Sequence, residues 1–166
     1  ANLQGGTDGG SGTSDDTFTF TNDTASISLL IDGNGGNNTI VGRSTSNNAW
    51  TIDAGNNSAV NGSNFTDIQT LTGGDGVDDI FTFNIDPSST SIAINGGTQA
   101  TQDSVVLGAS LTNVTLSITG FSGIELFSGN ASDTNILQGG AGSNDWQITG
   151  ENTGTLNAVS FSNFAR

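Results

Sequence analysis

The chain has 166 residues, room for one domain or a short run of repeats, and sixteen acids against two bases, Arg43 and Arg166, give it a net charge of −14. So little positive charge excludes nucleic acid as a partner and argues against an anionic membrane surface. Histidine and cysteine are absent, which removes zinc sites, disulfides and Ser-His-Asp or Cys-His nucleophiles, and no apolar run approaches the roughly 20 residues that membrane insertion needs.

Apolar residues recur at i, i+2 spacing, which predicts short strands with one buried face. In chain order these are expected over 18–20, 27–31, 39–41, 50–52, 68–71, 80–85, 92–94, 105–107, 114–118, 124–127, 136–138, 146–148 and 159–161. Asp8-Gly9, Asp32-Gly33, Asn61-Gly62, Asp75-Gly76 and Asn95-Gly96 supply the tight turns between them. The sole proline, Pro87, is expected to end the strand over 80–85. No window carries the i, i+3, i+4 spacing of a helix, so the chain reads as all-β.

The chain also repeats itself. At one constant spacing, Ile31-x-Gly33-Asn34 matches Phe127-x-Gly129-Asn130, Ile40 matches Ile136, Asn48 matches Asn144, Trp50-x-Ile52 matches Trp146-x-Ile148, Asn61 matches Asn157, and Phe65-x-x-Ile68 matches Phe161-x-x-Phe164. One repeat-built β domain over 1–166 is expected, with its internal copies at about 31–68 and 127–164. Short strands separated by Gly/Asn clusters point to a parallel β-helix, or β-solenoid, with a β-sandwich as the alternative. Trp50 and Trp146, each with an apolar residue at +2, read as core; exposed, they would stack on sugar rings.

The sharpest local motif runs Gly73-Gly74-Asp75-Gly76-Val77-Asp78-Asp79-Ile80-Phe81 and fits the nonapeptide G-G-x-G-x-D-x-U-x, with Ile80 pointing inward. Glycines let backbone carbonyls face a cation and the Asp adds a hard carboxylate oxygen, so Asp75, Asp78 and Asp79 are candidate calcium ligands. Gly10-Ser-Gly12-Thr-Ser-Asp15-Asp16-Thr17-Phe18 keeps the acids, adding Asp15 and Asp16, whereas the copies around 33–40 and 139–146 carry Asn38 and Asn144 at the acid's place. The competing reading is that these Asp and Asn side chains cap their own turns. Asp78 and Asp79, being adjacent, point to opposite faces of a strand and do not form a glycosidase pair, so no catalytic residue is expected.

Three phrases carry a resemblance: Phe65-Thr-Asp-Ile68-Gln-Thr-Leu71-Thr-Gly73-Gly74, then Asp78-Asp-Ile-Phe-Thr-Phe83, and the parallel Leu3-Gln-Gly5-Gly6 with Asp15-Asp-Thr-Phe-Thr-Phe20. In these and in composition the chain resembles the large repetitive extracellular proteins of bacteria, the RTX-type and haemagglutinin-like adhesins. The resemblance implies a secreted, non-enzymatic structural or adhesive protein at the bacterial cell surface, with calcium as cofactor. It departs from RTX arrays in that the nonapeptides stand apart instead of in tandem.

The copy at 127–164 stops where its earlier counterpart continues into Leu71-Thr-Gly-Gly, and Leu3-Gln-Gly-Gly resembles that missing continuation. A head-to-tail contact is therefore expected, either with an identical subunit or with neighbouring repeats of a longer parent chain, from which this segment would be excised. Surface glycans are the partner expected if the chain is instead a carbohydrate-binding module.

Overall fold

A computed structural model describes residues 2–6, 14–21, 28–54, 58–130 and 134–164. The Asp8-Gly9 turn, the 10–13 part of the second acidic motif, the start of the strand expected over 27–31 and Arg166 lie outside these residues. The chain is all-β. Its strands are β1 (Asn2–Gln4), β2 (Thr17–Thr19), β3 (Leu30–Asp32), β4 (Thr39–Val41), β5 (Asn48–Ile52), β6 (Ser58–Val60), β7 (Ser63–Thr66), β8 (Thr70–Thr72) and β9 (Asp79–Phe83). There follow β10 (Ala93–Asn95), β11 (Ser104–Leu107), β12 (Thr115–Ser117), β13 (Phe121–Ser122), β14 (Leu126–Ser128), β15 (Ile136–Gln138), β16 (Trp146–Gly150), β17 (Thr153–Leu156) and β18 (Val159–Ser162).

The largest sheet has the order β1-β3-β7-β6-β5-β9-β11-β14-β18-β17-β16; a second runs β13-β10-β8-β4-β2, and β12 pairs with β15 in a third. Parallel neighbours cannot be joined by a hairpin, so the chain leaves a sheet after each strand and returns a circuit later. Thus β8 to β11 alternate between the second sheet and the first, each pairing in parallel with the strand one circuit on. The exceptions are two antiparallel meanders, β5-β6-β7 and β16-β17-β18, at matching places in the repeat.

Parallel register stacks like on like. Trp50 lies opposite Phe81, Phe81 opposite Val105, Val105 opposite Phe127, and Phe127 opposite Phe161. Across the core, Phe18, Ile40, Leu71, Ile94 and Phe121 form the facing column. Few large apolar residues therefore suffice, because each is shared between the circuits above and below. Alternation turns the threonines of Thr39–Val41 and Thr70–Thr72 outward, in a partly buried–buried–partly buried pattern.

Glycine sets how closely the circuits approach. Gly73 N–H donates to the Asn95 carbonyl and Gly96 N–H to that of Ser122, each at 2.8 Å. A Cβ on Gly73 would strike the Gly96 carbonyl oxygen, and one on Gly96 that of Gly123. These are backbone atoms that cannot swing aside. Gly96→Ala is expected to destabilise the chain by about 1–3 kcal/mol through overpacking, read as a lower urea midpoint with an unchanged slope.

The structure corrects several expectations. Ile80 points outward and is 46% exposed, while Asp79 and Phe81 point in. The aromatic pair Phe81 and Phe83 takes the inner phase, and alternation leaves Ile80 on the other face. The strand ends at Phe83 rather than at the proline. Asp86 then caps a 3-10 turn, Pro87–Ser89, by accepting the Ser88 N–H at 2.9 Å. The structural counterpart of buried Ile40 is Leu137, not Ile136, which is 49% exposed. The two copies thus slip by one residue within the segment between their first and second strands. Strands β1, β6, β7, β13 and β17 were not expected, being short and rich in Ser, Thr, Asn or Gly.

Candidate functional site

Two features outside the apolar core carry the functional interest: a column of carboxylates and carboxamides at the strand starts, and the free sheet edges at the two ends.

The column forms because each circuit turns inward at an Asp, Asn, Gln or Glu just before or at a strand. Along the first sheet, Asn48 Nδ2 donates to Asp79 Oδ1 at 2.5 Å, Asp79 N–H to Asp103 Oδ1 at 2.7 Å, and Asp103 N–H to Glu125 Oε2 at 2.9 Å. On the opposite side, Asp16 N–H donates to Asn38 Oδ1 at 2.9 Å and Asn38 N–H to Gln69 Oε1 at 2.7 Å. Each such side chain satisfies backbone that the wide turn leaves unpaired, which burial would otherwise penalise. The acids also cap their own glycine turns: Asp16 Oδ2 accepts the Gly6 N–H at 2.9 Å, and Asp79 Oδ2 the Gly74 N–H at 2.8 Å.

Asp103 breaks the pattern. The equivalent N–H, from Gly97, donates to Asn95 Oδ1 at 3.1 Å, and buried Asp103 Oδ2 has no partner among the described residues. Burial, with the Asp79 charge adding to it, pushes the Asp103 carboxyl up to about 6. Burial also raises the Asp79 carboxyl, against the hydrogen bonds it accepts. Asp78, on the outer face, is lowered instead, because its Oδ1 accepts the Thr101 N–H at 2.5 Å and the Gln102 N–H at 2.9 Å.

The candidate calcium ligands therefore sit apart in role and direction. Asp79 and Asp16 turn in to cap glycines, while Asp78 reaches to the next circuit. Asp75 accepts from the Thr98 hydroxyl at 3.2 Å, and Asp15 Oδ1 accepts the Asn37 N–H at 2.7 Å. Among the described residues no three acids gather into a group able to hold a metal ion. Asp103 and Glu125, which complete the column, escaped the sequence reading; the signal for Asp103 was present in Gly96-Gly97 followed by an Asp.

At the ends, the two tryptophans diverge. Trp50 is fully buried and stacks on Phe81 of β9, with ring centroids 5.3 Å apart and 16° between planes. Trp146 packs edge-on to Phe161 at 5.7 Å, as Trp50 does to Phe65, yet it is 41% exposed, and Ile148 is 70% exposed. The expectation that both tryptophans are core holds for Trp50 and fails for Trp146. The cause is that β16 ends the first sheet, so among the described residues no strand lies beside it as β9 lies beside β5. At the opposite end β1 and β2 are the outermost strands of their sheets, and Leu3, Phe18, Phe20, Leu29 and Ile31 line an open groove.

No protein-family model, curated protein or solved structure matches this chain.

Proposed function

We propose that the chain is a β-solenoid module of an extracellular structural fibre at a bacterial surface, working by extending a stack of circuits rather than by catalysis. The observation that carries this reading is the unbroken column of like-on-like pairings from β2 through β13 and from β5 through β18, which any further circuit of the same kind would lengthen. Inter-circuit caps and glycine contacts supply stiffness at low apolar content. The resemblance to repetitive adhesins, carried by the phrases at 65–83, supports the extracellular placement. Calcium belongs to this reading as a counter-ion that lowers repulsion between the acidic outer corners, since a charge of −14 opposes stacking.

The test is labelling of intact, unpermeabilised cells that make the chain, with an antibody raised against the folded protein. Decorated filaments in electron micrographs are expected. Label confined to permeabilised cells would overturn the reading. A carbohydrate-binding module is the second reading, favoured by the exposed ring of Trp146; it predicts retention on a glycan array that Trp146→Ala abolishes.

A further inference from the structure

The first copy of the repeat shows what its second copy lacks. In the first, β4 and β5 are covered by β8 and β9: Ile40 lies opposite Leu71, Asn48 opposite Asp79, Trp50 opposite Phe81 and Ile52 opposite Phe83. In the second, the corresponding strands β15 and β16 are both sheet margins. The asparagine pair that closes the corner is reproduced. Asn61 Nδ2 donates to Asn48 Oδ1 at 2.8 Å, as Asn157 Nδ2 does to Asn144 Oδ1 at 3.1 Å. Asn61 Oδ1 accepts the Ala49 N–H at 2.9 Å, as Asn157 Oδ1 accepts that of Asp145 at 2.8 Å. Both Asn61 and Asn157 hold a left-handed backbone, at φ 49° and 51°. What Asn144 misses is the carboxylate that Asn48 finds in Asp79.

The covering element exists elsewhere in the chain. Leu71-Thr-Gly73-Gly74 and Asp78-Asp79-Ile-Phe81-Thr-Phe83 are matched by Leu3-Gln-Gly5-Gly6 and Asp15-Asp16-Thr-Phe18-Thr-Phe20, on β1 and β2. The match extends to geometry, since Asp16 caps Gly6 as Asp79 caps Gly74. Strands β1 and β2 are themselves margins, each with its outer edge unpaired among the described residues.

We infer that the β15/β16 margin binds the β1/β2 margin of a second copy of this chain, in the parallel register by which β8/β9 cover β4/β5. This deepens the proposed fibre role and rests on it. In the joint, Leu3 covers Leu137, Phe18 stacks on Trp146, Phe20 covers Ile148, and Asp16 takes one of the two Asn144 Nδ2 hydrogens, which the Gly140 and Gly142 carbonyls hold at 2.9 and 3.2 Å in the single copy. Because β16 ends the first sheet and β2 ends the second, each copy continues its neighbour's first sheet with its own second. The contact is heterologous, so it propagates instead of closing as a pair. It brings together chains of high like charge, so assembly strengthens as salt rises.

The experiment is sedimentation of the purified chain at several concentrations and salt levels, with two end-blocked variants. Leu3→Glu blocks one margin and Ile148→Glu the other; at 42% and 70% exposure both side chains change without opening the core, and circular dichroism checks the fold. Expected are concentration-dependent polymers of the unmodified chain, monomers of each variant alone, and, on mixing the variants, one-to-one dimers and nothing larger. Three results would each overturn the inference. They are an unmodified chain that stays monomeric in molar salt, variants that polymerise like the unmodified chain, or Leu3→Glu pairing with itself, which means a tail-to-tail contact. None of these bears on cell-surface labelling, so the fibre reading stands or falls separately.

Discussion

Replacing Trp50 by alanine is expected to cost about 3–5 kcal/mol of folding free energy, whereas the same change at Trp146 is expected to cost about 1–2 kcal/mol in the dilute chain. The difference follows from the neighbours, since the two residues occupy the same place in the repeat. Trp50 is sandwiched between the stacked ring of Phe81 and the edge of Phe65, with no exposed surface. Its Nε1–H also reaches Asp79 Oδ1 at 3.4 Å, so removing it strips a donor from a buried carboxylate as well as leaving a cavity. Trp146 keeps its Phe161 contact but has lost less to begin with, because one face already meets water. Urea titration well below the assembling concentration measures both. Assembly should respond in the opposite sense: Trp146→Ala removes the ring that meets Phe18 of the next copy and abolishes polymers. Trp50→Ala weakens them only as far as it unfolds the subunit. Equal losses of stability at the two sites would mean that the edge of β16 is covered within the single chain.

Much of the architecture was legible in sequence because the code is short-ranged. The bounds of Thr39–Val41 and Ile136–Gln138 are legible to the residue, since each is a short run with an apolar centre set off by polar neighbours, although the run of two apolar residues in the second hides which of Ile136 and Leu137 is buried. The strands that escaped notice lack that signature. Thr153–Leu156 carries Gly154 at an inward position, where the Phe161 ring and the Gln147 backbone leave no space for a side chain. Ser58–Val60 and Ser63–Thr66 bury serines at 5% and 1% exposure, so polarity there says nothing about side. At the acidic corners the residue types were legible and their direction was not. Which of Asp78 and Asp79 turns inward depends on the phase of the aromatic residues that follow, and the nonapeptide pattern put the apolar residue one position early. The exposure of Trp146 was not local information at all. It depends on which strand lies beside β16, a fact of topology that the shared Asn-x-Trp-x-Ile pattern cannot reveal.

Asp103→Asn is expected to raise the melting temperature at neutral pH and to leave it nearly unchanged near pH 4. The groups that face Asp103 are Asp79, Asp78 and Glu125, all acids, so ionisation meets repulsion as well as burial. With its folded-state value raised from 3.8 to about 6, the folded chain binds more protons than the unfolded one between those limits. Stability from this group is therefore fully present below about pH 4 and declines as pH rises through about 6. Buried Asp79, raised for the same reason, acts in the same direction. Asp78 acts in the opposite one: its lowered value makes its contribution present above 3.8 and lost at stronger acidity. The two buried carboxyls thus favour the folded chain on the acidic side, and Asp78 opposes them only at stronger acidity. Asparagine keeps the oxygen that accepts the Asp79 N–H and replaces the orphaned oxygen with a donor, as Asn38 does in the other column, where Nδ2 serves the Gly35 and Asp67 carbonyls at 2.8 and 3.0 Å. Removing one buried, unsatisfied acceptor is worth about 1–3 kcal/mol, which is a rise of roughly 2–10 °C for a chain of this size. Thermal melts at pH 4 and pH 7.5 decide it. A gain that is equal at both values would mean that Asp103 is not the group that titrates, and a loss at pH 7.5 would mean that its second oxygen already has a partner.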